Sequence, residues 1–117
     1  MAREYPRRYR VADQVQRELG DLLREVKDPR VGGMITISSV DVSPDLKSAR
    51  IYVAILDQAE PARVIEGLAA AAGFLRSRLA RRLRLRIVPE LRFHHDTAPD
   101  AADRVHHLLR DAARDEE

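Results

Sequence analysis

The sequence predicts an α+β domain in which helices cover one face of a three-stranded sheet. Three observations lead there. Apolar residues recur every three or four positions over residues 8–26, 61–72 and 74–83, the spacing of helices with one buried face. Apolar and polar residues alternate over residues 34–42, 49–56 and 90–95, the pattern of strands with one face in a core. The helical segments flank the strand pair, in an order α-β-β-α-α-β-α that suits helices laid on one side of a small sheet. A chain of 117 residues can enclose one such core without disulfides or metals.

The first helix, residues 8–26, turns Val11, Ala12, Val15, Leu19, Leu22, Leu23 and Val26 inward. Its other face carries Arg10, Arg17 and Arg24, with Asp13, Asp21 and Glu25 among them. Asp13 and Arg17 stand four apart, so a solvated face paired within itself is expected. Asp28-Pro29 ends the helix, because a residue before proline is pushed out of helical geometry. Gly32-Gly33 then supplies a turn.

In the first strand Ile35 and Ile37 point one way and Thr36, Ser38 and Val40 the other. Residues 43–47 hold turn chemistry in Ser43, Pro44 and Asp45. The second strand puts Ile51, Val53 and Ile55 on one face and Arg50 and Tyr52 on the other. So short a link makes the two strands antiparallel.

Pro61 opens the next helix, a position where its missing N–H costs nothing. Val64, Ile65, Leu68, Ala71 and Ala72 form its apolar face, and Gly73 is expected to bend or interrupt it. Leu75, Leu79 and Leu83 continue the stripe. At about 100° per residue, Ser77, Arg78, Arg81 and Arg84 fall on the far side, while Arg76 and Arg82 flank the stripe. Val88-Pro89 breaks the helix. The third strand alternates Leu91, Phe93 and His95 with Arg92 and His94. A last helical pattern contains Val105, Leu108 and Leu109. Residues 1–110 are expected to form one domain, and 111–117 a short disordered acidic tail.

Net charge is +2, yet it is unevenly placed. Residues 96–117 carry a balance of −4 and residues 1–95 one of +6. A basic body suits a polyanionic partner. Residues 1–9 read as a flexible arm, where Arg3, Arg7 and Arg8 interleave with Tyr5 and Tyr9, a mixture that suits RNA. Residues 74–88 hold Arg76, Arg78, Arg81, Arg82, Arg84 and Arg86 and no acid. Those six arginines, with Arg7, Arg8 and Arg10, are the candidate RNA-binding residues. Only Lys27 and Lys47 are lysines, so the preference for arginine is chain-wide and carries no weight by itself.

Catalysis is not expected. His94 and His95 are adjacent on a strand and point to opposite faces. His106 and His107 diverge on a helix, so neither pair suits one metal. No serine stands in a nucleophile elbow, and no glycine-rich phosphate loop occurs. The absence of cysteine excludes thiolate metal sites. No cofactor is called for. With no secretory leader and no apolar run long enough for a membrane, a cytoplasmic monomer is expected.

In order and spacing, several short stretches together resemble the ribosome-binding factor A family. They are Arg8 with Arg17-Glu18-Leu19; Asp28-Pro29-Arg30; Ile37 through Val42 to Ser43-Pro44-Asp45-Leu46; Ala49-Arg50-Ile51-Tyr52-Val53; Ala72-Gly73-Phe74-Leu75-Arg76; and residues 83–93 followed by Asp96. The resemblance covers residues 8–109. It implies a type II KH-like fold, α-β-β-α-α-β. KH domains usually clamp single strands with a Gly-x-x-Gly loop. The family is similar to this chain in having an Ala-x-Gly kink there instead, here Ala71-Ala72-Gly73. The implied activity is that of an assembly factor, not an enzyme. It would bind the free 30S subunit and 16S rRNA, support late maturation and 5′-end processing, and matter for growth in the cold. A ribosome-assembly GTPase is the implied partner for release. One departure is Asp103, where a glycine is expected before Arg104. Two rival functions remain: a generic KH-type protein acting on mRNA, and a small nuclease acting on precursor 16S rRNA.

Overall fold

A computed structural model describes residues 6–57 and 59–97. The last helical pattern with Val105, Leu108 and Leu109, the pair His106 and His107, the acidic tail and residues 1–5 lie outside the described residues. Helix α1 spans Arg7–Leu22 and runs into a 3₁₀ turn at Leu23–Glu25. Strands β1 (Ile35–Val42) and β2 (Ser48–Ile55) follow, then helices α2 (Pro61–Ala70) and α3 (Ala72–Leu83), then strand β3 (Glu90–His95).

The sheet order is β1-β2-β3. β1 and β2 are antiparallel, and β3 runs parallel to β2. A parallel neighbour needs a long crossover, which α2 and α3 provide. All three helices lie on one face. Val15, Leu19 and Leu22 of α1, Val64 and Leu68 of α2, and Leu75 and Leu79 of α3 share one buried cluster with Ala49, Ile51, Val53, Leu91 and Phe93 of the sheet. Leu19, Leu22, Ile51, Leu68, Leu75 and Leu79 are fully buried, each contributing about 1.5–3 kcal/mol relative to exposure. Exposed Arg50, Arg92 and His94 occupy the opposite face, which no described helix covers, and there the Tyr52 and His94 rings lie 5.6 Å apart. This is the expected α+β layer, in the order α-β-β-α-α-β.

The structure corrects several expectations. β1 does not alternate throughout. Its register slips between Ile37 and Ser39, so Ile37 pairs with Val53 while Val40 pairs with Ile51. Ser38 is the extra residue of a β-bulge. Val40 therefore shares the core side with Ile35 and Ile37, not the side of Thr36. The bulge stands because Ser38 Oγ donates 2.7 Å to the buried Asp96 carboxylate and lies 3.2 Å from the Tyr52 carbonyl oxygen. Asp96 N in turn donates to Val53 O at 2.8 Å.

Arg7, Arg8 and Tyr9 belong to α1 rather than to an arm. α1 also stops before Val26, which is extended at φ −76°, ψ 120°. From there the chain turns at Asp28-Pro29-Arg30. Asp28 accepts from Arg30 N (2.9 Å), Nε (3.0 Å) and Nη2 (2.7 Å), and its carbonyl accepts from Val31 N. The turn seats Val31 on Gly67, where an added Cβ would meet Val31 Cγ2 at 2.6 Å and Arg30 Cβ at 2.9 Å. Gly33 is needed on two counts. Its φ is +80°, and a Cβ there would collide with the Asp57 carboxylate, which accepts from Met34 N at 2.9 Å. The join of α2 and α3 lies at Ala71 (φ −88°, ψ −1°), two residues before Gly73. Gly73 sits in the first turn of α3 with open space around it. α3 ends at Leu83, and Arg84 is left-handed at φ 51°. Arg84 and Arg86 therefore follow the helix instead of extending it.

Candidate nucleic-acid interface

Helix α3 sorts its arginines by their angle from the buried Leu75 and Leu79. Arg82 lies three residues past Leu79, on the flank facing α1. There the side chains of Glu18, Asp21 and Glu25 form one row, spaced three and four residues apart. Arg82 Nη1 lies 3.0 Å from Glu18 Oε2 and 2.7 Å from Asp21 Oδ2, and Nη2 lies 3.2 Å from Glu25 Oε2. The hydrogen bond from Arg82 holds the Asp21 carboxyl below its usual range, and the Asp21 bond, then Glu18, raises the guanidinium. The acids of α1 thus pair across to α3. Arg17 makes no ion pair with Asp13 among the described residues.

Arg76 takes the other flank. Its Nε and Nη2 donate to the Val88 carbonyl at 3.2 and 2.9 Å, pinning the segment that leads into β3. Four arginines of this stretch remain exposed and outward: Arg78, Arg81, Arg84 and Arg86. Arg78 lies over the Phe74 ring, 5.1 Å from its centroid. The side chains of Arg81, Arg84 and Arg86 have no hydrogen-bond or ion-pair partner among the described residues. Leu85 between the last two packs on the core, so its neighbours project away from it.

Arg7, Arg8 and Arg10 form a separate group. They occupy the first turn of α1, whose 16 residues put about 24 Å between its ends. Arg8 donates 2.8 Å to Tyr9 Oη and stacks 4.8 Å from that ring. It faces a small groove beside the β1–β2 turn, with Asp41, Ser43 and Arg50. The structure thus divides the nine candidate arginines into two pinned ones, four exposed ones in the second half of α3 and beyond its end, and a separate N-terminal group on α1.

Three residues outside the nine candidates join the exposed four. Arg24 and Lys27 line a groove with Phe74, Arg78 and Ala71. Phe74 is 40% exposed. A helical wheel does reveal it, because it stands four residues before Arg78, on the side away from the leucines. Arg24 and Lys27 become visible only when α1 is laid against the α2–α3 join. Among the described residues no group of three or more His, Cys, Asp or Glu side chains is placed to hold a metal. No helix there is long and apolar enough to cross a membrane.

Comparison with known proteins decides the family. The family model for ribosome-binding factor A matches residues 7–109. The chain belongs to the ribosome-binding factor A family. A ribosome-binding factor A from Alkalilimnicola ehrlichii is 46% identical over 119 residues, covering 99% of this chain and 91% of that protein. The crystal structure of the Thermus thermophilus factor superposes with a TM-score of 0.67 at 28% identity, over 75% of this chain and 94% of that one. A homology model of the Thermus thermophilus factor, fitted into a cryo-electron-microscopy map of a complex with the 30S subunit, gives 0.63 at 31% identity, over 74% and 92%.

Proposed function

We propose that this protein is a small-subunit assembly factor that binds the free 30S particle through 16S rRNA and supports its late maturation and 5′-end processing. The observation that carries the reading is the ridge Arg78, Arg81, Arg84 and Arg86. Four exposed guanidiniums lie close together in sequence, none of them in an ion pair among the described residues, and phosphate backbones are what such a surface binds. Family membership over residues 7–109 supports the ribosomal partner, as does the likeness to a factor fitted with the 30S subunit. Arg7, Arg8 and Arg10 offer a second basic contact. Release by a ribosome-assembly GTPase belongs to the same proposal, and no step in it requires catalysis by this chain. The test is deletion of the gene, followed by 16S 5′-end mapping and subunit profiles. Accumulated precursor ends and free 30S particles are expected. Normal ends, or association of the protein with polysomes instead of free 30S particles, would contradict the reading.

A further inference from the structure

Beside the α2–α3 join lies a groove of about 780 Å³, walled by Arg24, Val26, Lys27, Ala71, Phe74 and Arg78. Two carboxylates, Glu25 and Asp28, also line it. Both are already engaged: Glu25 with Arg82 at 3.2 Å, Asp28 with Arg30 at 2.7 Å. Arg24 and Lys27 make no side-chain hydrogen bond or ion pair among the described residues. Three cations, Arg24, Lys27 and Arg78, against two carboxylates leave the groove a balance of +1, set around an apolar floor with an exposed aromatic ring. The cleft on the other side of the join differs. It is about 380 Å³, and both of its arginines are occupied, Arg76 on the Val88 carbonyl and Arg92 on Glu90 at 3.5 Å.

A ring between cations suits a single strand, whose unstacked bases offer a π-face and whose phosphates offer charge. A duplex keeps those faces stacked, and an acidic peptide has no use for the ring. We infer that this groove seats one unstacked base of single-stranded RNA against the Phe74 ring and the Arg78 guanidinium that lies over it, with the flanking phosphates on Arg24 and Lys27. The inference rests on the ribosomal-RNA reading above and specifies a single-stranded contact within it.

The test uses the full chain with fluorescein-labelled octauridylate and octaadenylate, read by anisotropy across a potassium chloride series. Phe74→Leu keeps apolar bulk but removes the ring, and is expected to bind about tenfold more weakly with an unchanged melting temperature. Phe74→Tyr restores the ring and is expected to bind as wild type does. Arg24→Gln with Lys27→Gln is expected to flatten the log–log salt slope by about 1.4. Equal octamer affinity in wild type and Phe74→Leu overturns the inference, as does equal displacement of the octamer by duplex RNA or poly-glutamate. Sucrose gradients with 30S particles separate the two readings. Wild-type protein that travels with 30S but binds neither octamer overturns the groove alone. Octamer binding without 30S association overturns the proposed function and upholds the groove.

Discussion

Two arginines two residues apart have opposite parts in this chain. Arg82 is held by three carboxylates, two of α1 and one of the 3₁₀ turn that follows it, whereas Arg84 stands alone at a left-handed backbone position. Their substitutions should therefore separate stability from binding. Arg82→Gln strands an acidic row on α1 and should lower the thermal midpoint, with little change in the salt slope of RNA binding. Arg84→Gly relieves the Cβ clash of a left-handed residue, so urea titration should show about 1 kcal/mol of added stability. If the ridge binds phosphates as proposed, the same change removes one such contact and weakens RNA binding. Equal effects of both substitutions on both readouts would contradict this division. Asp28 gives a pH prediction. The hydrogen bonds from the Arg30 side chain and backbone lower its carboxyl from 3.8 to about 2. A depressed carboxyl contributes stability that is complete above its unfolded pKa and disappears as pH falls through the folded one. Melting curves of wild type and Asp28→Asn should therefore differ most above about pH 5, narrow as pH falls, and converge near about pH 1, below both values. A gap as wide at about pH 2 as at about pH 6 would contradict the assignment.

At the scale of elements, β1 departs most from its sequence pattern. Its alternation reads cleanly up to Ile37, and nothing local marks Ser38 as an inserted residue. The cause lies 58 residues away, in the bond from Ser38 to Asp96. Ser38→Ala removes one hydrogen bond to that buried carboxylate and should cost about 1.5–3 kcal/mol by urea denaturation. A loss below a few tenths would mean that the bulge has some other cause. The helix ends show the same limit. Apolar spacing gave the faces of α1 and α3 correctly, because burial imposes that period whatever the partner. It did not give their ends. Val26 leaves the helix to seat Val31 on Gly67, and Arg84 turns left-handed before Leu85 returns to the core. Both are tertiary events.

At the scale of the molecule, the three strands, the helices on one face and the basic character of the 74–88 segment were legible in sequence. The partition of that basic segment was not. A run without acids looked uniformly cationic, yet the acids that hold Arg82 come from α1 and the 3₁₀ turn after it, 57 to 64 residues earlier. Likewise Arg24 and Lys27 join the α3 surface only through packing. Of the nine candidate arginines, the ridge Arg78, Arg81, Arg84 and Arg86 emerges as a surface because folding pins its neighbours and leaves these four facing out.

The measurement closest to the central claim is sucrose-gradient co-sedimentation with purified 30S particles, comparing wild type with a triple variant, Arg78→Glu, Arg81→Glu and Arg84→Glu. Circular dichroism serves as the check that the exposed substitutions leave the fold intact. The ridge predicts that wild type and Arg82→Gln travel with the particles and that the folded triple variant stays at the top of the gradient. A folded triple variant that binds 30S as wild type does would contradict the account.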